Sequence, residues 1–571
     1  MEKEYVIGLN RGVDTVKFWE DIEKITNLDN IPNRAVKIAN PRPGSNRLTH
    51  YYLTEEEAEI IRQDLRVVVV EIPSDQNEDI KIGLHSNNPP SNFTRANNAT
   101  GTYVGNIQNL IVTDASGSAK NWGLLRAKYL ENPYTSSSTP TKWDLSGSFV
   151  DNINGTGVDI VIQDSGIQAN HPEWEDANGN SRLQEINWYT ASFMSGSQPA
   201  GFYTDYQGHG THVAGIAAGK TFGFAKESRI YSQKLAGLEG STDPNAGIPV
   251  ADAFDTIRLW HINKSGSRPT VVNMSWGYST EINAGYFSST SPYETLWNWR
   301  GTTYYGMGPG AVNPKFGFGL ATYLGTNSGI IDIPYRVSSV DIEVEEMIDA
   351  GITVVIASGN SNYKIDIPGG IDYDNYFQQR APFPRGFNYY HRGSSPLSTE
   401  ALMVGALDFE YYTTGSMTSY YSESQDRPSD YTCAGPGVEI YAAGSNIISA
   451  VSDTNAYGSS KTANYHEDPS FKQAILNGTS MASPQVAGLA ALLYQLNPLT
   501  TPSQLKSTLI EKSGNNMVSG SSSGNVYDGN PYGYFVTKDG PNNVLYNFIG
   551  QENLPISISG PLSISANLII N

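Results

Sequence analysis

Cysteine is nearly absent from this chain: Cys433 stands alone among 571 residues. No disulfide can form within the chain, and no cysteine cluster can hold zinc. Cys433 lies far in sequence from the motifs described below and is expected to be a buried structural thiol. No apolar run reaches the roughly eighteen residues of a membrane-spanning helix. The N-terminus, Met1 to Gly8, lacks a basic stretch followed by a long apolar run, so no ordinary secretory signal is seen. The expectation is a protein acting inside a cell or in a virus particle, with an exported form left open.

Charge is also sparse. Charged residues make up 16% of the chain, yet the formal net charge is −20. Such a field repels nucleic acid, and no basic stripe overrides it, so neither nucleic acid nor a membrane is an expected partner. A D-x-D-x-D-G loop is missing too, which leaves metal ligands unassigned. What is present is a globular composition, with 39% hydrophobic residues. The length indicates two or three domains, one of them large.

Residues 1–75 read as a small unit. The run from Tyr5 to Leu9 is apolar, and Val16, Phe18, Trp19, Ile22 and Ile25 recur at helical intervals. Thr54, with Glu57 three residues on, predicts a capping box opening a helix from Glu55 to Gln63, and Arg66 to Ile72 reads as a strand. The order suits an open α+β sheet with helices on one face. Residues 76–120 are rich in Asn, Ser, Thr, Gly and Pro and read as an exposed linker or extended arm.

From 121 to 515 strands alternate with helices. Apolar runs recur at 158–163, 229–235, 270–274, 352–357 and 402–406, with helical stretches at 250–262 and 337–350 between them. This predicts an α/β fold: a doubly wound, mostly parallel sheet covered by helices on both faces. Ligands on such sheets bind at the carboxyl ends of strands. Tyr-rich insertions interrupt the pattern at 278–335 and 361–398. The first could shape a rim of a cleft or decorate a remote surface, and the sequence favours neither. Residues 516–571 read as a C-terminal extension, and the alternation after Ile556 resembles two short strands.

Three segments carry chemistry. Asp164 ends a buried apolar run, just before Ser165 and Gly166. Taken alone it is a turn-forming Asp. His209 lies between Gly208 and Gly210, opening a helix of small residues that runs to Gly219. His212 follows three residues later, which raises a zinc alternative, but no adjacent Glu or Cys supports it. Two plain core histidines would not explain the flanking glycines. Ser480 precedes Met481, Ala482, Ser483 and Pro484 and a helix apolar on most sides. Pro484 suits a first helical turn. A serine at such a helix start is usually only a cap, but unpaired N–H groups there also favour negative charge. Together the three residues supply what acyl transfer needs: a nucleophile in Ser480, a base in His209 and an orienting carboxylate in Asp164. The order Asp, His, Ser is one known solution to that geometry.

These blocks resemble the signatures of the subtilisin family of serine peptidases. Asp164 to Gly166, His209 to Gly215 and Gly478 to Pro484 resemble its Asp, His and Ser blocks. The resemblance covers roughly residues 121 to 515. It implies a serine endopeptidase acting on polypeptides, with no cofactor required for catalysis and with calcium allowed as a structural ion. It further implies that Asn360 donates to the oxyanion beside the Ser480 N–H. By the same resemblance Ser275, Trp276 and Gly277, with Ala357, Ser358 and Gly359, flank the main specificity pocket. Asn121 to Leu124 resembles the start of many mature members. Residues 1–75 resemble the family's propeptide, which implies an intramolecular inhibitor and self-cleavage somewhere between about 73 and 121. The second reading is a structural protein that keeps a peptidase scaffold and assembles into a larger particle.

Overall fold

A computed structural model describes residues 1–23, 34, 36–85, 112–113, 119–130, 153–283, 295–305, 330–379, 386–408, 426, 428–429, 431–459, 461–515 and 537–549. The expected strand pair after Ile556, and most of the arm beyond His85, lie outside these residues.

The chain opens with β1 (Lys3–Leu9), α1 (Thr15–Glu23), β2 (Lys37–Asn40), β3 (Leu48–Leu53), α2 (Glu55–Arg62) and β4 (Val67–Glu71). The strands form an antiparallel sheet in the order β2-β3-β1-β4. Alternation along β1 divides its side chains between two faces. Tyr5, Ile7 and Leu9 pack against Phe18 and Ile22 of α1 and Ala58 and Ile61 of α2. Val6 points the other way, onto Leu48 and Ile342. The capping box predicted at Thr54 is formed, with Thr54 accepting from the Glu57 N–H and Glu57 accepting from the Thr54 N–H.

The arm then forms β5 (Lys81–Leu84). This strand is extended and half-exposed, as an arm rather than a coil linker would be. Composition there is that of a coil, but a partner strand from the next domain supplies the ladder that holds it.

The larger unit is built on a six-stranded parallel sheet. Its elements are β6 (Asp159–Asp164), α3 (His209–Ala218), β7 (Arg229–Lys234), α4 (Val250–Asn263), β8 (Thr270–Met274), β9 (Trp276–Asn283), α5 (Ser338–Asp349), β10 (Thr353–Ala357), β11 (Leu402–Leu407), β12 (Ile440–Ala443) and α6 (Thr479–Leu496). All but β9 among these strands join the parallel sheet, in the order β12-β11-β10-β8-β6-β7. Successive side chains enter opposite layers. Ile160, Val271, Val355 and Val404 meet α3 and α6, while Val161, Val272, Val354 and Met403 meet α4 and α5. Each such buried aliphatic side chain contributes roughly 1.5–3 kcal/mol. Strand order reverses direction around β6 and β8, so a crevice opens at their carboxyl ends.

Pro484 lies inside α6 rather than in its first turn, because the helix already begins at Thr479. Proline lacks the N–H that would bond the carbonyl four residues back, here that of Ser480. The Ser275 hydroxyl donates to that carbonyl instead, at 3.4 Å.

The two insertions are not independent. Thr295–Trp299 and Thr302–Tyr305 from the first pair with Tyr376–Gln379 and Asn388–Tyr389 from the second in one antiparallel sheet. Buried Trp297, Phe377 and Tyr390 fill it. Residues 537–549 return to the larger unit: Val544 bridges to Tyr441 and Gly514, and Leu545, Phe548 and Ile549 are buried in the layer beneath α6.

Candidate active site

β6 delivers Asp164 to the crevice, fully buried. Its Oδ1 accepts from His209 Nδ1 at 2.8 Å and from the Ser165 N–H at 2.7 Å. Its Oδ2 has no partner among the described residues. His209 is the first residue of α3, after Gly208 at φ +88°. Gly210 lets α3 approach the β6 loop closely. A Cβ at Gly210 would stand 2.1 Å from the Gly166 carbonyl oxygen. A second carboxylate, Asp205, ties the start of α3. It accepts from the Gly208 N–H at 2.8 Å, the Thr211 N–H at 2.9 Å, the Thr211 hydroxyl at 2.6 Å and the Ser165 hydroxyl at 3.0 Å. Burial pushes its pKa up, and those bonds oppose the rise.

His212 turns away from this group. Its Nε2 meets the Ala474 carbonyl at 3.1 Å, and burial pushes its pKa down to about 3. It is a core histidine, and the zinc pairing with His209 is not formed. Among the described residues no group of three or more His, Cys, Asp or Glu stands in a metal-holding arrangement.

Ser480 sits in the first turn of α6, fully buried. Its hydroxyl donates to the Ser275 carbonyl at 3.1 Å, while His209 Nε2 is buried without a partner among the described residues. The Asp–His link is therefore made, and the His–Ser link is open.

The crevice is occupied by the chain itself. β9 leaves the end of β8 and pairs with β5 on one edge and with Ile330–Pro334 on the other, both antiparallel. The register sets Leu84 opposite Trp276, Gly83 opposite Gly277 and Ile82 opposite Tyr278. The His85 N–H continues the ladder to the Ser275 carbonyl at 3.0 Å. The His85 carbonyl accepts from the Ser480 N–H at 3.3 Å and from Asn360 Nδ2. Asn360 Oδ1 accepts from the N–H and the hydroxyl of Thr479, each at 2.9 Å, which turns the amide N–H₂ toward His85.

The six expected pocket residues divide in role. Ser275 contributes its carbonyl, and its hydroxyl braces α6. Trp276 is wholly buried, with its indole N–H on Gln163, so its side chain belongs to the core and only its backbone faces the strand. Gly277 and Gly359 stand against the His85 ring. Ala357 is buried in β10, and the Ser358 hydroxyl donates to the Cys433 carbonyl at 2.9 Å. Cys433 is buried, as expected, and its pKa is raised by that burial. Its distance in sequence misleads, because its Sγ lies 3.4 Å from where a Cβ on Gly359 would stand.

The Subtilase family matches residues 155–534. The chain belongs to the subtilase family. With that membership it is a serine endopeptidase of the subtilisin-like kind. A cuticle-degrading protease of Metarhizium anisopliae is 24% identical over 73% of this chain and 70% of its own length. An extracellular serine proteinase of a Thermus species is 26% identical over 64% of this chain and 57% of its own length. Fervidolysin of Fervidobacterium pennivorans, a keratinolytic enzyme related to subtilisin, aligns over 96% of this chain and 60% of its own, with 16% identity and a TM-score of 0.47. The Thermus relative is extracellular, which does not fit the expectation of an intracellular or particle-bound subtilase. Among the described residues no helix is long and apolar enough to cross a membrane.

Sequence reasoning missed His85, Asp205 and Thr479. Thr479 lay inside a recognised block and was legible as a hydroxyl next to the nucleophile. His85 and Asp205 carry no local signature.

Proposed function

We propose that this subtilase hydrolyses peptide bonds through Asp164, His209 and Ser480, by way of an acyl-enzyme. The observation that carries the reading is a peptide carbonyl, that of His85, held between Asn360 Nδ2 and the Ser480 N–H beside a buried Asp164–His209 pair. His209 takes the Ser480 proton through Nε2 once the hydroxyl turns away from the Ser275 carbonyl. Asp164 holds the imidazole with Nδ1 protonated and stabilises its cation. Two N–H donors then face the oxygen on which charge develops. The acyl transfer needs no metal.

Residues 1–75 act in this reading as an intramolecular inhibitor, released by self-cleavage. Two features support it. β5 fills the crevice, and the N-terminal domain is clamped to the catalytic one by ionic contacts. Buried Arg42 reaches Asp255 at 3.0 Å, and Glu343 as well. Burial pulls its guanidinium down, but the Glu343 and Asp255 carboxylates outweigh this and hold it above its ordinary value. Arg47 reaches Glu345 at 2.6 Å, and Glu71 accepts from the Ser339 N–H at the start of α5 at 2.8 Å. Export, the route left open by the sequence, accords with the extracellular relative. Assembly as a structural particle component is supported by none of these observations.

The test is Ser480→Ala. It should remove peptide hydrolysis by about 10⁶-fold, as loss of the nucleophile does in subtilisin, and abolish labelling by a serine-directed reagent. Retained hydrolysis or labelling would assign the chemistry to another residue.

A further inference from the structure

The segment from Lys81 to His85 lies in the crevice as a substrate would. Its ladder to β9 is formed, and its last carbonyl already faces both oxyanion donors. The His85 ring enters a slot walled by two glycines. A Cβ on Gly277 would stand 2.5 Å from His85 Nε2, and one on Gly359 would stand 3.7 Å from His85 Cε1. The same added Cβ on Gly277 would stand 2.7 Å from the Ser394 hydroxyl oxygen, so Ser394 borders the slot. His85 as a whole is half-buried, but its ring tip is enclosed, and Nε2 has no partner among the described residues. Among the described residues no carboxylate acts on the ring. Burial, and then His209, push its pKa down to about 4, so it docks neutral. Three residues earlier, Ile82 packs into the apolar layer with Trp276 and Tyr278, and its Cγ2 lies 2.7 Å from where a Cβ on Gly237 would stand.

We propose that the first self-cleavage falls between residues 85 and 86, and that the slot holding His85 selects a flat, uncharged side chain before the cut, with an aliphatic one three residues upstream. The inference rests on Ser480 and His209 being the acyl-transfer pair. Ser480 Oγ adds to the His85 carbonyl carbon, and His209 takes the hydroxyl proton. The bond to the nitrogen of residue 86 breaks, and that nitrogen leaves with the proton. Water then attacks the ester, which restores the Ser480 hydroxyl and leaves a carboxylate on His85.

The experiment is intact-mass analysis of the full chain and of its Ser480→Ala variant at early times after folding. A fragment of residues 1–85 from the parent chain, absent from the variant, is the expected result. A Ser480-dependent fragment ending elsewhere overturns the cut site and leaves the acyl-transfer reading standing. No Ser480-dependent fragment removes that reading, and this inference with it. Processed enzyme is then given the peptide of residues 81–85 carrying a reporter amine after His85. Replacing His85 by Asp or Lys should slow release at least about tenfold, and replacing it by Phe should not. Gly277→Ala should reverse the order, favouring Ala over His at that position. Equal release from His, Asp and Lys peptides would show that the slot does not select.

Discussion

The two sheets of this molecule solve different problems. The parallel sheet is buried on both faces, so its strands read as continuous apolar runs and its chemistry is confined to the strand ends. The sheet of β1 to β4 is antiparallel and splits its side chains between its own two helices and the surface of its neighbour. The first is a scaffold that holds Asp164 and His209 within hydrogen-bond distance. The second is a docking plate. Gly8 permits the contact, since a Cβ there would come within 2.6 Å of Ile342 Cδ1. Around that apolar point the arginines of one domain meet the carboxylates of α4 and α5. The Asp164–His209 geometry thus comes from packing, whereas docking of the N-terminal domain adds charge and one borrowed strand to its apolar contact.

Substitutions can separate these two roles. The largest effect is expected from Asp164→Asn, which leaves the shape unchanged but cannot hold Nδ1 protonated toward it. Turnover should fall about 10⁴-fold while the unfolding midpoint moves little. A small loss would mean that Asp164 is a turn residue. Arg42→Ala should act on the other side of the comparison. It leaves Asp255 and Glu343 with Arg258 as their remaining partner in the docked interface and should destabilise the unprocessed chain by about 1.5–3 kcal/mol, read by denaturant unfolding in the Ser480→Ala background. An unchanged midpoint would take the ionic cluster out of the account. Asn360→Ala should lower turnover by about 10²–10³, the loss found when the oxyanion donor is removed from subtilisin.

Acidity probes the borrowed strand. His85 has a docked pKa near 4 against an ordinary 6.5, so the undocked segment binds a proton that it must shed to enter the slot. Docking is fully favourable above about pH 6.5 and weakens as pH falls toward 4, by about thirtyfold at pH 5. The first-cut rate of His85→Phe relative to the parent chain should rise correspondingly between pH 7 and pH 5. A flat ratio would show that the ring is not held neutral. The smallest effect is expected from Ser275→Ala. It removes the hydroxyl that serves the Ser480 carbonyl opposite Pro484 and should cost about 1 kcal/mol of stability.

Much of the scaffold was legible along the chain. The apolar runs at β6, β7, β8, β10 and β11 and the helical stretches at α4 and α5 match the described elements closely. Their signals are local, and each is short. β12 escaped notice, because Ile440 to Ala443 is brief and edged by Gly and Ser. Pro484 was placed one turn too early. Its tolerance inside α6 depends on the Ser275 hydroxyl from another strand, which no local rule contains. The joint sheet of the two insertions depends on pairing across about eighty residues, from Thr295–Trp299 to Tyr376–Gln379.

The order of residues determined which groups were available: a carboxylate closing a buried strand, an imidazole opening a helix of small residues, and a hydroxyl at the head of an apolar helix. Those are properties of neighbours within a few positions. Folding alone decided that His85 is the residue presented to them, that Cys433 lies behind its slot, and that Asp205 anchors the helix bearing His209. Each of these juxtapositions joins segments whose composition is indifferent to the other, so only the closing of strands and the exclusion of water could select them.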